Sequence, residues 1–133
     1  MVTAELAIGA HVEQSTCVED ALARGFTIAQ IFLGNPQSYK GPALDYPGGP
    51  AQLKADAAAS GIGLYVHAPY IINVATTNNR IRIPSRKLLQ QHATAASEVG
   101  ARGLIVHGGH LGAGDDPAAG VDNWRKAIEG LRT

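Results

Sequence analysis

The sequence predicts an α/β fold made of four consecutive βα units with parallel strands, and three observations carry that expectation. Short apolar runs of strand character alternate four times with stretches of helical spacing. Each run breaks at its end into Gly, Pro or a polar loop. Three of the five histidines, His11, His67 and His107, stand where three different runs stop. Consecutive βα units in one sheet cross over right-handedly. Two closures accommodate them: an open doubly wound sheet, or half of a (β/α)8 barrel whose complete form takes about 250 residues. In both, ligands bind at the C-terminal edge of the strands, where these imidazoles fall.

The first unit opens with residues 6–10, read as a buried strand closing on His11. Thr16 then starts a helix, Glu19 three positions later completes a capping box, and Gly25 ends it. The second strand covers residues 28–33. A long loop, well beyond the few residues usual for such connections, leads to Pro50, which opens a helix to about Ser60. The third strand, Gly63-Leu-Tyr-Val-His67, is followed by a loop over residues 68–84. Ser85 then caps a helix carrying Leu88, Leu89, Ala93, Ala96 and Val99 and stopped by Gly100. The fourth strand, Gly103-Leu-Ile-Val-His107, precedes a helix with Asp116 as N-cap and Pro117 as its first residue. Val121, Trp124, Ile128 and Leu131 recur there at spacings of three and four, as a core-facing stripe does. Cys17 reads as a buried structural thiol, His92 as a surface or packing residue and Trp124 as core.

Composition narrows the function classes. With 133 residues, 45% hydrophobic and 17% charged, the chain is an ordinary globular mixture of one-domain size. It has no run of eighteen apolar residues and no export signal at its start, so no membrane association is expected and a cytoplasmic location is. Eleven basic and eleven acidic side chains cancel, which removes a broad electrostatic footprint for nucleic acid. A focal one would lie at Arg80, Arg82, Arg86 and Lys87, although any one of these charges alone is better read as part of a solvated face. Neither a Gly-x-Gly-x-x-Gly nor a P-loop occurs: the glycines at 108, 109, 112 and 114 lack the Lys-Ser/Thr that would hold phosphate and magnesium.

The strand-end histidines are the chemistry-bearing group. Imidazole suits zinc, iron or manganese, and a catalytic zinc site takes about three protein ligands plus a position for water. No carboxylate stands at a strand end. Asp115 and Asp116 are explained by helix capping, so a metal here would take nitrogen ligands from this chain and carboxylates from elsewhere.

Four motifs in order sharpen this: Ile8-Gly-Ala-His-Val12, Ile31-Phe-Leu-Gly-Asn-Pro-Gln37, Val66-His-Ala-Pro-Tyr-Ile-Ile-Asn73 and Val106-His-Gly-Gly-His110. Together they resemble the N-terminal half of endonuclease IV, the zinc-dependent apurinic/apyrimidinic endonuclease family, over essentially the whole chain. The resemblance implies a TIM barrel of about twice this length, of which residues 1–133 form a single incomplete domain. It also implies up to three Zn²⁺ ions, or other divalent metals, in the barrel mouth, and metal-assisted hydrolysis of the phosphodiester 5′ to an abasic site in DNA. His67 and His107 match ligands of one zinc. His11, Asn35, Gln37, Tyr70 and, more loosely, His110 match DNA-contacting positions; no catalytic side chain is assigned.

Pro36-Gln37 departs from relatives that carry a basic or bulky residue there. The larger departure is that the family's remaining ligands, carboxylates and further histidines from its second half, have no counterpart here. The resemblance therefore implies a chain that is weakly active or inactive alone, open at both sheet edges, and completed by a second half-barrel or by self-association. A metal-dependent sugar isomerase or epimerase barrel and a non-catalytic truncated scaffold are the alternatives.

Overall fold

The computed structural model describes residues 5–132. Its strands are β1 (Gly9–His11), β2 (Ile28–Phe32), β3 (Gly63–His67) and β4 (Gly103–Ile105), and its helices α1 (Cys17–Ala23), α2 (Gly49–Ala59), α3 (Asn79–Glu98) and α4 (Pro117–Gly130). All strand pairings are parallel, in the order β1-β2-β3-β4. Sequential order with right-handed crossovers puts every helix on one face of the sheet. That excludes the doubly wound closure, which needs helices on both faces, and leaves four βα units of a (β/α)8 barrel.

Alternation along the strands separates the two faces. Ala29 and Ile31 of β2 and Leu64 and Val66 of β3 are buried beneath the helices, against Val18 and Ala21 of α1, Leu53 and Ala57 of α2, and Ala96 and Val99 of the third unit. A second cluster gathers Ala68, Ile72, Val74, Leu88, Leu89 and Ala127 under the loop after β3. Register levels the other set: His11, Gln30, Tyr65 and Gly103 form one rung, and Phe32, His67 and Ile105 the next. These residues line the inner face.

Several elements differ from the sequence expectation, each for a local reason. β1 begins at Gly9, not residue 6, and Leu6 and Ile8 are exposed at 79% and 54%. This edge strand has a partner on one side only, and at Gly9 a Cβ would come within 1.9 Å of the Ile28 carbonyl oxygen. Thr16 is the N-cap of α1, but its hydroxyl donates to Asp20 Oδ2 at 2.8 Å, so the capping box with Glu19 does not form. β2 ends one residue early, at Phe32.

The helix α3 starts six residues before Ser85, with Pro84 inside it. Its cap is Asn78, whose Oδ1 accepts from Arg80 N at 3.0 Å. Ser85 is fully buried, and its hydroxyl accepts a backbone N–H from the loop residue Asn73 at 3.0 Å.

β4 stops at Ile105, which leaves His107 two residues into the loop. On α4, Asp116 and Pro117 begin the helix as expected. Its apolar stripe faces the core only in part: Trp124 and Leu131 are half-buried against the second cluster, whereas Val121 is 71% and Ile128 57% exposed, and the buried positions are Gly120 and Ala127. Cys17 is buried, and His92 is a packing residue with 1% exposure. Among the described residues no helix is long and apolar enough to cross a membrane.

Candidate metal and nucleic-acid site

The inner-face rungs end in a cluster of rings at the C-terminal edge of the sheet. His67 is the last residue of β3, and the rings of His67 and His107 lie with centroids 4.9 Å apart and planes at 86°. Two imidazoles bound through nitrogen to one tetrahedral ion stand about 5 Å apart, given metal–nitrogen bonds of about 2.1 Å. The pair therefore has the spacing of two ligands to one cation.

The tautomer of His67 is set by a neighbour. His67 Nδ1 lies 2.6 Å from the carbonyl oxygen of Ala68. A carbonyl only accepts, so the proton sits on Nδ1 and the lone pair is left on Nε2, the tautomer a metal ligand needs.

Phe32 holds the remaining rings around this pair. It lies 4.5 Å from His11, 5.2 Å from His67 and 6.3 Å from Tyr70, and Tyr70 stacks on His107 at 6.4 Å and 22°. His11 Nδ1 is 2.9 Å from Gln30 Nε2; with the amide donating, the His11 proton is on Nε2. Partial burial, then the neighbouring His67, lowers the His11 pKa, and Glu13 acts in the opposite sense. His11 is thus a neutral hydrogen-bond donor at neutral pH.

Two other predicted positions sit differently. His110 is fastened to Asn73: its backbone N–H donates to Asn73 Oδ1 at 3.2 Å, and its carbonyl accepts from Asn73 Nδ2 at 3.0 Å. Asn35 and Gln37 are exposed and form a tight local turn, in which Gln37 N–H donates to Asn35 Oδ1 at 2.9 Å. The structure thus brings His11, His67, His107 and Tyr70 together through ring contacts, and Asn35 and Gln37 form their own loop after β2.

The basic cluster on α3 is not a free cationic face. Arg82 donates to the Thr76 carbonyl at 3.1 Å and to Asn79, and Arg86 donates to the Asn123 carbonyl at 3.3 Å. Both guanidinium groups are engaged with their own fold; Arg80 and Lys87 are exposed.

Among the described residues no group of three or more His, Cys, Asp or Glu side chains converges so as to hold an ion. The donor set present fits two nitrogen positions of a metal and no more. Sequence reasoning missed Phe32, Gln30 and Asn73. Phe32 and Gln30 carried a signal, because they share rungs with His67 and His11. Asn73 stood inside a quoted motif without a role.

Residues 18–133 match the family model described as xylose isomerase-like TIM barrel. The chain is 47% identical over 126 residues to a protein named probable endonuclease 4 from Mycobacterium ulcerans (strain Agy99), a match covering 95% of this chain and 48% of that protein. The protein of the same name from Mycobacterium leprae (strain Br4923) is 46% identical over 127 residues, with the same coverage. Among solved structures, endonuclease IV from Thermus thermophilus superposes with a TM-score of 0.76 at 26% identity, over 93% of this chain and 47% of that one. A D-psicose 3-epimerase crystallised with D-fructose superposes at 0.60 with 14% identity, over 92% of this chain and 46% of that one, a likeness of fold alone. The chain spans about half the length of the curated relatives it matches.

Proposed function

The chain belongs to the xylose isomerase-like TIM-barrel family, and from that premise we propose that residues 1–133 are the first half of an endonuclease IV-type barrel acting in cytoplasmic DNA repair. The reaction is metal-dependent hydrolysis of the phosphodiester on the 5′ side of an abasic site. The observation that carries this reading is the His67–His107 pair, with its 4.9 Å spacing and the Nδ1 proton of His67 held by Ala68. The 47% identity to probable endonuclease 4 supports nuclease chemistry among those such a pair could serve. The epimerase alternative has only a likeness of fold behind it.

In this reading His67 and His107 hold one Zn²⁺, through Nε2 in the case of His67. When bound, zinc supplies Lewis acidity toward a phosphate oxygen and an activated water. The chain's other groups bind and orient the DNA. His11, neutral and protonated on Nε2, donates a hydrogen bond to an anionic oxygen at the mouth. Tyr70 offers an aromatic face beside the metal pair for the displaced nucleotide. Asn35 and Gln37 present amides from their turn to the backbone and minor groove, and His110 lies within reach of a phosphate. The missing ligands come from a second half-barrel that pairs with the open edges of β1 and β4, where unpaired backbone groups stand ready.

Zinc titration by calorimetry, combined with incision of an abasic-site duplex in the presence of a second half-barrel, tests the reading. The wild-type chain takes up one zinc, and His67→Ala, which leaves a single imidazole of the pair, lowers that affinity by more than the roughly tenfold to hundredfold typical of losing a partner behind a ligand and removes incision. Unchanged zinc affinity in His67→Ala would overturn the assignment.

A further inference from the structure

Beside the Thr77–Asp115 hydrogen bond at 3.2 Å, the two loops that carry the site are joined at a buried side chain next to the histidines, and we infer that Asn73 is a positioning residue that holds His107 against His67. His107 itself is exposed and lies beyond the end of β4, and its ring meets the rings of His67 and Tyr70. Its place therefore depends on how the backbone around it is anchored. On the N-terminal side, β4 pairs with β3 and the Ile105 carbonyl accepts from Ala68 N at 2.8 Å. On the C-terminal side the anchor is Asn73.

Asn73 is only 5% exposed, and its backbone N–H and both polar atoms of its side chain are engaged. The backbone N–H donates to Ser85 Oγ at 3.0 Å, which ties it to α3. Its Oδ1 accepts from Thr76 N and from His110 N, both at 3.2 Å, one donor from each loop. Its Nδ2 donates to the His110 carbonyl at 3.0 Å and lies 3.4 Å from His110 Nδ1.

The approach is close enough to dictate the residue opposite. Gly109 has φ +76°, and a Cβ there would stand 2.3 Å from Asn73 Oδ1. A side chain at 109 is excluded by both the backbone conformation and the space. Between these anchors the Gly108 carbonyl accepts from Trp124 Nε1 at 2.6 Å. The segment from Ile105 to His110 is thus pinned before, within and at its end, and the asparagine pins that end to the loop following His67. A buried amide satisfied on both sides is costly to disturb, because its removal strands the donors it served.

The consequence for metal binding rests on the reading that His67 and His107 share an ion; the clasp itself does not. In metal-free protein, Asn73→Ala is expected to raise hydrogen exchange at the His110 amide at least tenfold and to weaken the NOE between the His67 and His107 rings. Amides of β2 and β3 keep their protection. Zinc affinity, read by calorimetry, falls about tenfold, the size expected when a support behind a ligand is lost.

Asn73→Asp keeps both acceptor bonds but sets a carboxylate oxygen against the His110 carbonyl that the amide served, so it should move the same readouts; if the alanine variant does not fold, Gly109→Ala carries the comparison. Gly109→Ala attacks the same contact from the other loop and should move the same readouts. Wild-type exchange at His110 and a wild-type ring NOE in folded Asn73→Ala would overturn the clasp. Should the wild-type chain bind no zinc while exchange and NOE respond as stated, the clasp stands and the metal reading fails.

Discussion

The two faces of the sheet are built from alternate residues of the same strands, yet they are finished to different degrees. On the helix side, Ile31 and Val66 are completely buried, and three helices close over them. On the inner side, their neighbours Phe32 and His67 remain half-buried, and the mouth carries exposed imidazoles. One face is a packed interior, and the other is the lining of a barrel of which half is present. The difference separates what the chain needs in order to fold from what it offers for binding, one residue apart along each strand.

The largest expected effect lies on the closed face. Ile31→Ala removes a fully buried side chain from the middle of β2 and should cost about 2–5 kcal/mol, through lost transfer energy and the cavity left behind. Urea denaturation followed by circular dichroism measures it. A cost under about 1 kcal/mol would mean that the helix side is no tighter than the mouth, and the contrast would disappear.

A second test uses a titratable group of the closed side. His92 is buried in α3, its Nδ1 has no hydrogen-bond partner among the described residues, and burial pushes its pKa down to about 4 from the usual 6.5. The unfolded chain therefore binds a proton at higher pH than the folded chain does. The contribution of His92 is constant above about pH 6.5 and falls as the pH drops from there toward 4, by about 3 kcal/mol. His92→Leu should flatten that slope in denaturation curves taken across the window. A slope that survives the substitution would assign the acid sensitivity to another group.

How far the sequence disclosed each region follows from the physics of each. His11 and His67 were legible because a strand that stops on His places the ring at the sheet edge whatever the tertiary detail; His107 reaches the same edge from two residues beyond the end of β4. The start of α3 was not. Asn78 and Ser85 are both capping residue types, and choosing between them requires knowing that the Ser85 hydroxyl is already taken by Asn73 from twelve residues earlier. The clasp was hidden for the same reason, since an asparagine in a loop shows nothing of the loop it will meet. On α4 the periodicity identified which residues share a face, but a repeat of three and four does not say what covers that face.

That stripe supplies the smallest expected effect and the most direct probe of the unfinished side. Val121 stands 71% exposed on α4, in the unit that opens with the free edge strand β4. A lysine there gives up little buried area and replaces a β-branched residue with a better helix former, so Val121→Lys should change the chain's own stability by no more than about 0.5 kcal/mol. Its effect should instead appear on assembly, because a charge at that position has to be desolvated when a second half-barrel packs against α4. Co-purification of a tagged second half with wild-type and Val121→Lys chains reads the difference: weaker capture with unchanged denaturation places the stripe at the joint between halves. Equal capture would move that joint away from α4 and leave the edge strands to make it alone.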